Sequence, residues 1–245
     1  MEAEPTPMSV TALAGLAALA FASVHLFSPR LMFLDVTPRS VWLSLSGGIS
    51  TAYVFLHLLP EIAHRQAEMP DRTLFAAVDR EIWVAALLGL TTSYVLERTA
   101  RLHPTGEGGP SWVFWIHIGA FAAYNLLIGY IIEEQARLGP QPLALYVVAL
   151  GLHYLVNDRA LVRKHDERYR RTGRFILAGA TLLGWLLGAL VLIGPAAVSF
   201  AMAFLSGGVV LNTVKEELPK ERESNVFAFM AGAGGYGALL LMLDM

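Results

Sequence analysis

The chain of 245 residues contains no cysteine, which removes disulfides, thiolate metal sites and cysteine nucleophiles together. Charge is also scarce. Charged residues make up 16% of the chain against 55% hydrophobic, too little for a soluble domain of this length. The charges sit in short connecting stretches, and a formal net charge of −2 offers no basic face of the kind nucleic acid requires, so no nucleic-acid partner is expected. The opening MEAEPTPMSV is acidic and lacks the basic n-region of a signal peptide, so the first apolar run is expected to remain as a helix. From Phe175 to Val214 no charged residue occurs at all. As one helix that run would measure about 60 Å, roughly twice a bilayer, so it must turn back. Gly194-Pro195 is the expected corner.

Apolar stretches dominate what is present. Eight candidate spans fall at about 10–27, 41–62, 74–96, 112–132, 143–162, 175–193, 196–214 and 226–243. The first stops at Ser28-Pro29-Arg30, the second follows Thr37-Pro38, and the third carries Asp79, Arg80 and Glu81 in its first turns. The eighth holds Gly232, Gly234, Gly235 and Gly237, which let helix backbones approach closely. The expected class is an all-α polytopic membrane protein forming a single transmembrane domain over 1–245, in contact with membrane lipid. With the N-terminus outside, 14 of the 18 lysines and arginines fall in inner connections, seven of them between Arg159 and Arg174. That bias places both termini outside and the basic connection inside, as an anchor beside anionic lipid, in what is expected to be a bacterial inner membrane. Trp42, Trp112 and Trp115 read as interface anchors.

The fourth and fifth stretches, WVFWIHIGAFAAYNLLIGYII and LALYVVALGLHYLVNDRALV, are joined only by EEQARLGPQP. Inside them sit His117, Asn125, His153, Asn157 and Asp158. Polar side chains at membrane depth are costly and mark function by default, here as candidate cation ligands. At 1.5 Å per residue, His117, His153 and Asn157 fall in one layer roughly 16 to 22 Å below the outer surface, with Asn125 nearer the outside. His153 and Asn157 share a helix face as i, i+4 neighbours. Each residue has a structural reading too: His117, Asn125 and Asn157 as interhelical hydrogen-bonding groups, Asp158 as an ion-paired or helix-end charge beside Arg159. His57 and Glu61, one turn apart, mark a candidate entrance; Glu216 and Glu217 mark a candidate exit.

An internal echo bears on the architecture. The second stretch contains SGGISTAYVFLHLLPE and the seventh SGGVVLNTVKEELPK, both opening on Ser-Gly-Gly and reaching Leu-Pro and a charge, in opposite expected directions. This is the pattern of an inverted repeat, spans one to three against six to eight around a central pair, a 3+2+3 layout.

Eight spans grouped in this way, Gly47-Gly48 and His57-Leu-Leu-Pro-Glu61 in the second, and Glu216-Glu217-Leu-Pro219 after the seventh resemble the ZIP (Zrt/Irt-like) divalent-metal transporters. In that family a His-Asn-x-Pro-Glu-Gly type motif in the fourth span and a similar one in the fifth build a central metal site. Leu126-Leu-Ile-Gly129 resembles the tail of the fourth-span motif, which puts Ala120, Phe121 and Tyr124 at the ligand positions. In the fifth span His153 matches the leading ligand, with Tyr154 and Asn157 at the later ones. The long histidine-rich connection of many members is missing, leaving Arg98 to Pro110. The resemblance implies a carrier of zinc or another divalent cation as substrate, with no prosthetic group, no enzymatic activity and a homodimer as an open option. Neutral groups stand where the family has carboxylates, so a weakened or altered site is implied.

Two other functions are open. An intramembrane zinc-dependent hydrolase would use His57, His117 and His153 to activate water, but His57 lies roughly 10 to 15 Å above the other two by depth. A non-transporting relative would keep the fold for another task.

Overall fold

The computed structural model describes residues 7–31, 41–67, 80–102, 111–217 and 225–243. Among them there is no strand. The order is α1 (Pro7–Phe27) with a 3-10 turn at Ser28–Arg30, α2 (Val41–Tyr53), α3 (Leu59–Ala67), α4 (Glu81–Leu102), α5 (Ser111–Leu138), α6 (Pro140–Arg168), α7 (Arg174–Leu190), α8 (Pro195–Glu217) and α9 (Val226–Met242). Among the described residues five segments are long and apolar enough to cross a membrane: Ser9–Arg30, Val41–Ala67, Trp112–Leu138, Pro140–Leu190 and Pro195–Lys215. The apolar helix Val226–Met242 is shorter. These segments fit an integral membrane protein.

Breaks between helices follow local chemistry. Val191 is extended and α8 opens with Pro195 at its first position, so the chain does break at the expected corner. The expected third stretch begins at 74, but residues 68–79 lie outside those described and α4 starts at Glu81. The connection EEQARLGPQP is far shorter than it looks in sequence. Its first six residues are good helix formers that extend α5 to Leu138, and Gly139 turns the chain at φ 127° before Pro140 starts α6. Between α2 and α3 the helix does not end but widens into a π-turn at Val54–Leu58, where the Leu59 amide bonds the Val54 carbonyl. Pro60 has no amide hydrogen and its ring crowds the carbonyl four residues back, so a widened turn relieves it. The basic stretch after Val162 is helical rather than a loop: α6 kinks at Asp166 (φ 33°, ψ −108°) and passes through a second π-turn, Tyr169–Gly173, into α7. The Arg170 guanidinium bonds the Asp166 carboxylate at 2.9 Å across that kink.

Helix packing divides the chain into two compact units. The first gathers α1, its 3-10 turn, α5, α6 and α7. Here α5 and α7 cross through a reciprocal pair of glycines. A Cβ on Gly129 would strike the Thr181 carbonyl, and one on Gly184 would strike the Leu126 carbonyl. Phe21 of α1 packs between Tyr146 and Tyr154 of α6, ring centroids 6.0 and 5.0 Å away. Phe114, Ile118, Leu161, Val162, Tyr169 and Leu177 form a buried cluster. Three arginines close the carbonyl end of α1: Arg174 bonds Leu26 O (3.1 Å), Arg159 bonds Ser28 O (2.7 Å) and Arg170 bonds Pro29 O (2.9 Å). They meet carbonyls that a helix end leaves unpaired, at the pole that favours cations.

The second unit gathers α2, α3, α4, α8 and α9. Its two main crossings repeat the same device. Gly48 of α2 faces the Phe229 carbonyl of α9 while Gly232 faces Leu45 O, and Gly89 of α4 faces the Phe204 carbonyl of α8 while Gly207 faces Ala86 O. Both Ser-Gly-Gly echoes therefore supply a glycine to a tight crossing. Ile62, Ile82, Ala85 and Ala203 form a buried cluster beside them. Gln66 accepts the Ile82 amide at the start of α4 (2.9 Å), Asn225 caps α9 by accepting the Ala228 amide (2.9 Å), and Lys215 pairs with Glu97 (3.0 Å).

Candidate functional site

The first unit encloses a polar network at the convergence of α1, α5, α6 and α7. On α1 the buried stripe Ala14, Ala18, Phe21, His25, Ser28 follows the helical repeat, so the polar end of the stripe is turned inward with the rest. Asn125 of α5, Asp158 and Tyr154 of α6 and Thr181 of α7 meet it, and all six polar residues are 2% exposed or less. His25 Nδ1 lies 3.0 Å from both Asp158 carboxylate oxygens. Its Nε2 lies 2.7 Å from Asn125 Oδ1. The Asn125 amide nitrogen donates to Phe121 O at 2.7 Å, which orients the amide and leaves Oδ1 facing the imidazole. Ser28 Oγ donates to Asp158 at 2.8 Å, and Thr181 Oγ1 lies 3.2 Å from Asn125 Oδ1. The Tyr154 ring lies against the imidazole, centroids 4.5 Å apart, with its buried hydroxyl on the Thr181 side. Arg159, adjacent to Asp158 in sequence, points instead to the Ser28 carbonyl, so Ser28 is gripped at both its hydroxyl and its backbone.

A buried carboxylate beside an imidazole in a low-dielectric interior persists only when paired and hydrogen-bonded, as here. The arrangement is not that of a serine hydrolase. Ser28 bonds the carboxylate rather than the imidazole, so no ring nitrogen is placed to take its proton.

Of the residues singled out in the sequence, Asn125 and Asp158 are brought together, through His25. His153 and Asn157 form a separate pair on α6, Nε2 to Nδ2 2.8 Å. His117 pairs with His165, Nδ1 to Nε2 3.1 Å, with the Phe114 ring edge-on to His165. His57 sits in the first π-turn with its ring against Tyr53, 4.9 Å between centroids, and Glu61 is paired with Arg65 at 2.6 Å. Glu216 and Glu217 fall in the last turn of α8, but their side chains lie outside the described residues. Among the described residues no group of three or more His, Asp or Glu side chains is placed to hold a metal ion. His25, Ser28, Thr181 and His165 are the members that sequence reasoning misses. For His25 a signal exists: it is the only ionisable residue of the apolar run 8–27, and such residues face a bundle interior.

Compared with known proteins, the chain matches no family model and no curated protein.

Proposed function

We propose that the protein is a ZIP-like membrane carrier of a divalent metal cation, zinc or similar, with an altered central site among His117, Asn125, His153, Asn157 and Asp158. The observation that carries this reading is the His25–Asp158–Asn125 network: a carboxylate, an imidazole and an amide oxygen buried together between helices apolar enough to cross a membrane. Structural polarity alone needs no such concentration of lone pairs, whereas a cation losing its hydration shell does.

The eight-span, 3+2+3 reading with an inverted repeat is supported by which helices pack together. Exchanging spans one to three with six to eight, and four with five, turns the α2–α9 pair into α8–α4 and the α5–α7 pair into α6–α1, and all four pairs occur. The repeat supplies alternating access, in which the cation site opens to one side and then the other.

Purified protein equilibrated in turn with zinc, cadmium, manganese and nickel is expected to retain one of these metals at about one ion per chain. No retained metal, together with no flux, supports the non-transporting relative. Orientation has its own test. Cysteines replacing Thr6 and Asp244 are expected to react with an impermeant thiol reagent in intact cells, while one replacing Arg171, whose side chain is 78% exposed, stays unlabelled until the membrane is opened. Labelling of Arg171→Cys in intact cells reverses the orientation.

A further inference from the structure

Two arginines at the end of α1 carry charge that no carboxylate answers, and each lies over an aromatic ring that faces outward. Arg30, the last residue of the 3-10 turn, is exposed, with its guanidinium carbon 5.3 Å from the centre of the Phe27 ring. Arg174, the first residue of α7, lies 4.6 Å from the centre of the Phe175 ring while its Nη1 donates to Leu26 O. A carbonyl satisfies a hydrogen but neutralises no charge. Among the described residues neither arginine is ion-paired: Asp166 is taken by Arg170, Glu167 by Arg171, and Asp158 is turned inward to His25 and Ser28. Arg174 Nε has no hydrogen-bond partner either. Phe27 and Phe175 are 51% and 53% exposed, so each arginine stands where an outward apolar stripe meets the charged end of its helix.

The two stripes run side by side. Helices α1 and α7 are antiparallel, since Leu26 meets Arg174 at one end and Gly15 meets the Trp185 ring at the other. On α1, Phe21 and His25 turn to the interior and Gly15 toward α7; on α7, Thr181 turns to α5 and Trp185 to α1. At 3.6 residues per turn this puts the exposed Leu19, Ser23 and Phe27 of α1 and Phe175, Gly179 and Leu186 of α7 on the same outer side of the pair. Between them lies a shallow trough. Ser23 is small, its hydroxyl closed onto the Leu19 carbonyl at 2.7 Å, and a Cβ on Gly179 would meet nothing within 4 Å. We propose that this trough seats one anionic phospholipid, its phosphate held by Arg30 and Arg174 and an acyl chain lying along Leu19, Ser23, Gly179 and Leu186. Guanidinium groups suit phosphate oxygens, and aromatic rings beneath them sit at headgroup level. The trough is what selects a lipid, because a soluble phosphate needs the arginines but not the apolar groove. The diffuse attraction of a basic stretch for an anionic surface involves every lysine and arginine alike, whereas this seat depends on two arginines and joins α1, which carries His25 and Ser28, to α7. It rests on the membrane reading of these helices and not on the carrier reading.

Native mass spectrometry of the full-length protein in mild detergent, titrated with phosphatidylglycerol or with phosphatidylcholine of the same acyl chains, tests it. About one phosphatidylglycerol per chain is expected to be retained under conditions that strip phosphatidylcholine, and to raise the thermal midpoint of helix loss, as a ligand of the native state does. Arg30→Gln is expected to weaken retention about fivefold, the weight of one basic residue at an anionic surface. Arg163→Gln removes the same charge from an exposed position on α6, which does not line the trough, and is expected to leave retention unchanged. Gly179→Leu fills the trough and is expected to weaken retention with helix content and the lipid-free midpoint unaltered. Equal losses at Arg30 and Arg163 make the attraction diffuse, and displacement of the lipid by an excess of soluble glycerol phosphate makes this a phosphate site without a chain. Either result, equal retention of the two lipids, or retention indifferent to Gly179→Leu overturns the seat and leaves the carrier reading, which stands on metal retention and flux, untouched.

Discussion

Replacing Asp158 with alanine is expected to destabilise the protein by about 1–3 kcal/mol for each buried hydrogen-bonding group it leaves without a partner. His25 is 1% exposed and its Nδ1 has both Asp158 oxygens as partners, so removal of the carboxylate leaves a polar ring nitrogen in an apolar interior. The Ser28 hydroxyl loses its acceptor in the same step. The signature that separates this mechanism from loss of packing lies in a second substitution. Combining Asp158→Leu with His25→Phe removes both partners and fills their volume, and such replacements are often neutral or stabilising. The double variant is therefore expected to recover at least about half of what Asp158→Ala loses, as read from the midpoint of denaturant-induced loss of helicity in detergent. A double variant less stable than Asp158→Ala contradicts this account of the buried pair.

Gly129→Ala is expected to be nearly as damaging, by a different route. The added methyl meets the Thr181 carbonyl, a backbone atom that no rotamer change can move, and Gly184→Ala meets Leu126 O from the other side of the same crossing. Overpacking of this kind typically costs about 1–3 kcal/mol and sometimes more. It also reaches the site, because the α5–α7 crossing is what sets Thr181 beside Asn125 at 3.2 Å. The same substitution at Gly119 on α5 and Gly179 on α7 meets nothing within 4 Å. There alanine is expected to be neutral or slightly stabilising, since it is the better helix former by up to about 1 kcal/mol. Thermal unfolding of the four variants checks the contrast, and equal loss at all four would show that the tight crossings do not set stability.

These contrasts also mark what the sequence can reveal. Helix positions are legible because apolar runs end at strong punctuation: Ser28-Pro29 after α1, Gly139-Pro140 between α5 and α6, Gly194-Pro195 before α8. Where punctuation is absent the reading overshoots, as at Glu133 to Leu138, whose charges suggest a loop but whose residues all favour helix. The two π-turns cannot be read from periodicity, although Pro60 explains the first afterwards. At the site, Asn125 and Asp158 are legible as costly polar groups at membrane depth. Their partner is not, because His25 lies 133 residues from Asp158 and 100 from Asn125, and no local spacing connects residues so far apart. Depth counting sets His117, His153 and Asn157 in one layer, but height along a helix says nothing about which way a side chain faces. His117 bonds His165, while His153 and Asn157 bond each other. The seven basic residues between Arg159 and Arg174 read in the sequence as an anchor beside anionic lipid. In the fold Arg159, Arg170 and Arg174 reach the carbonyls that end α1, a role invisible until α1 is placed beside them.

The central claim, that this polar network passes a cation across a membrane, is tested most directly by flux into vesicles. Purified protein reconstituted into liposomes loaded with a metal-sensitive dye is expected to admit zinc or cadmium well above the leak of protein-free vesicles. His25→Gln and Asp158→Asn, inserted to the same density, are expected to lower the initial rate by about tenfold or more. Flux no greater than in protein-free vesicles, or flux untouched by both substitutions, would contradict it.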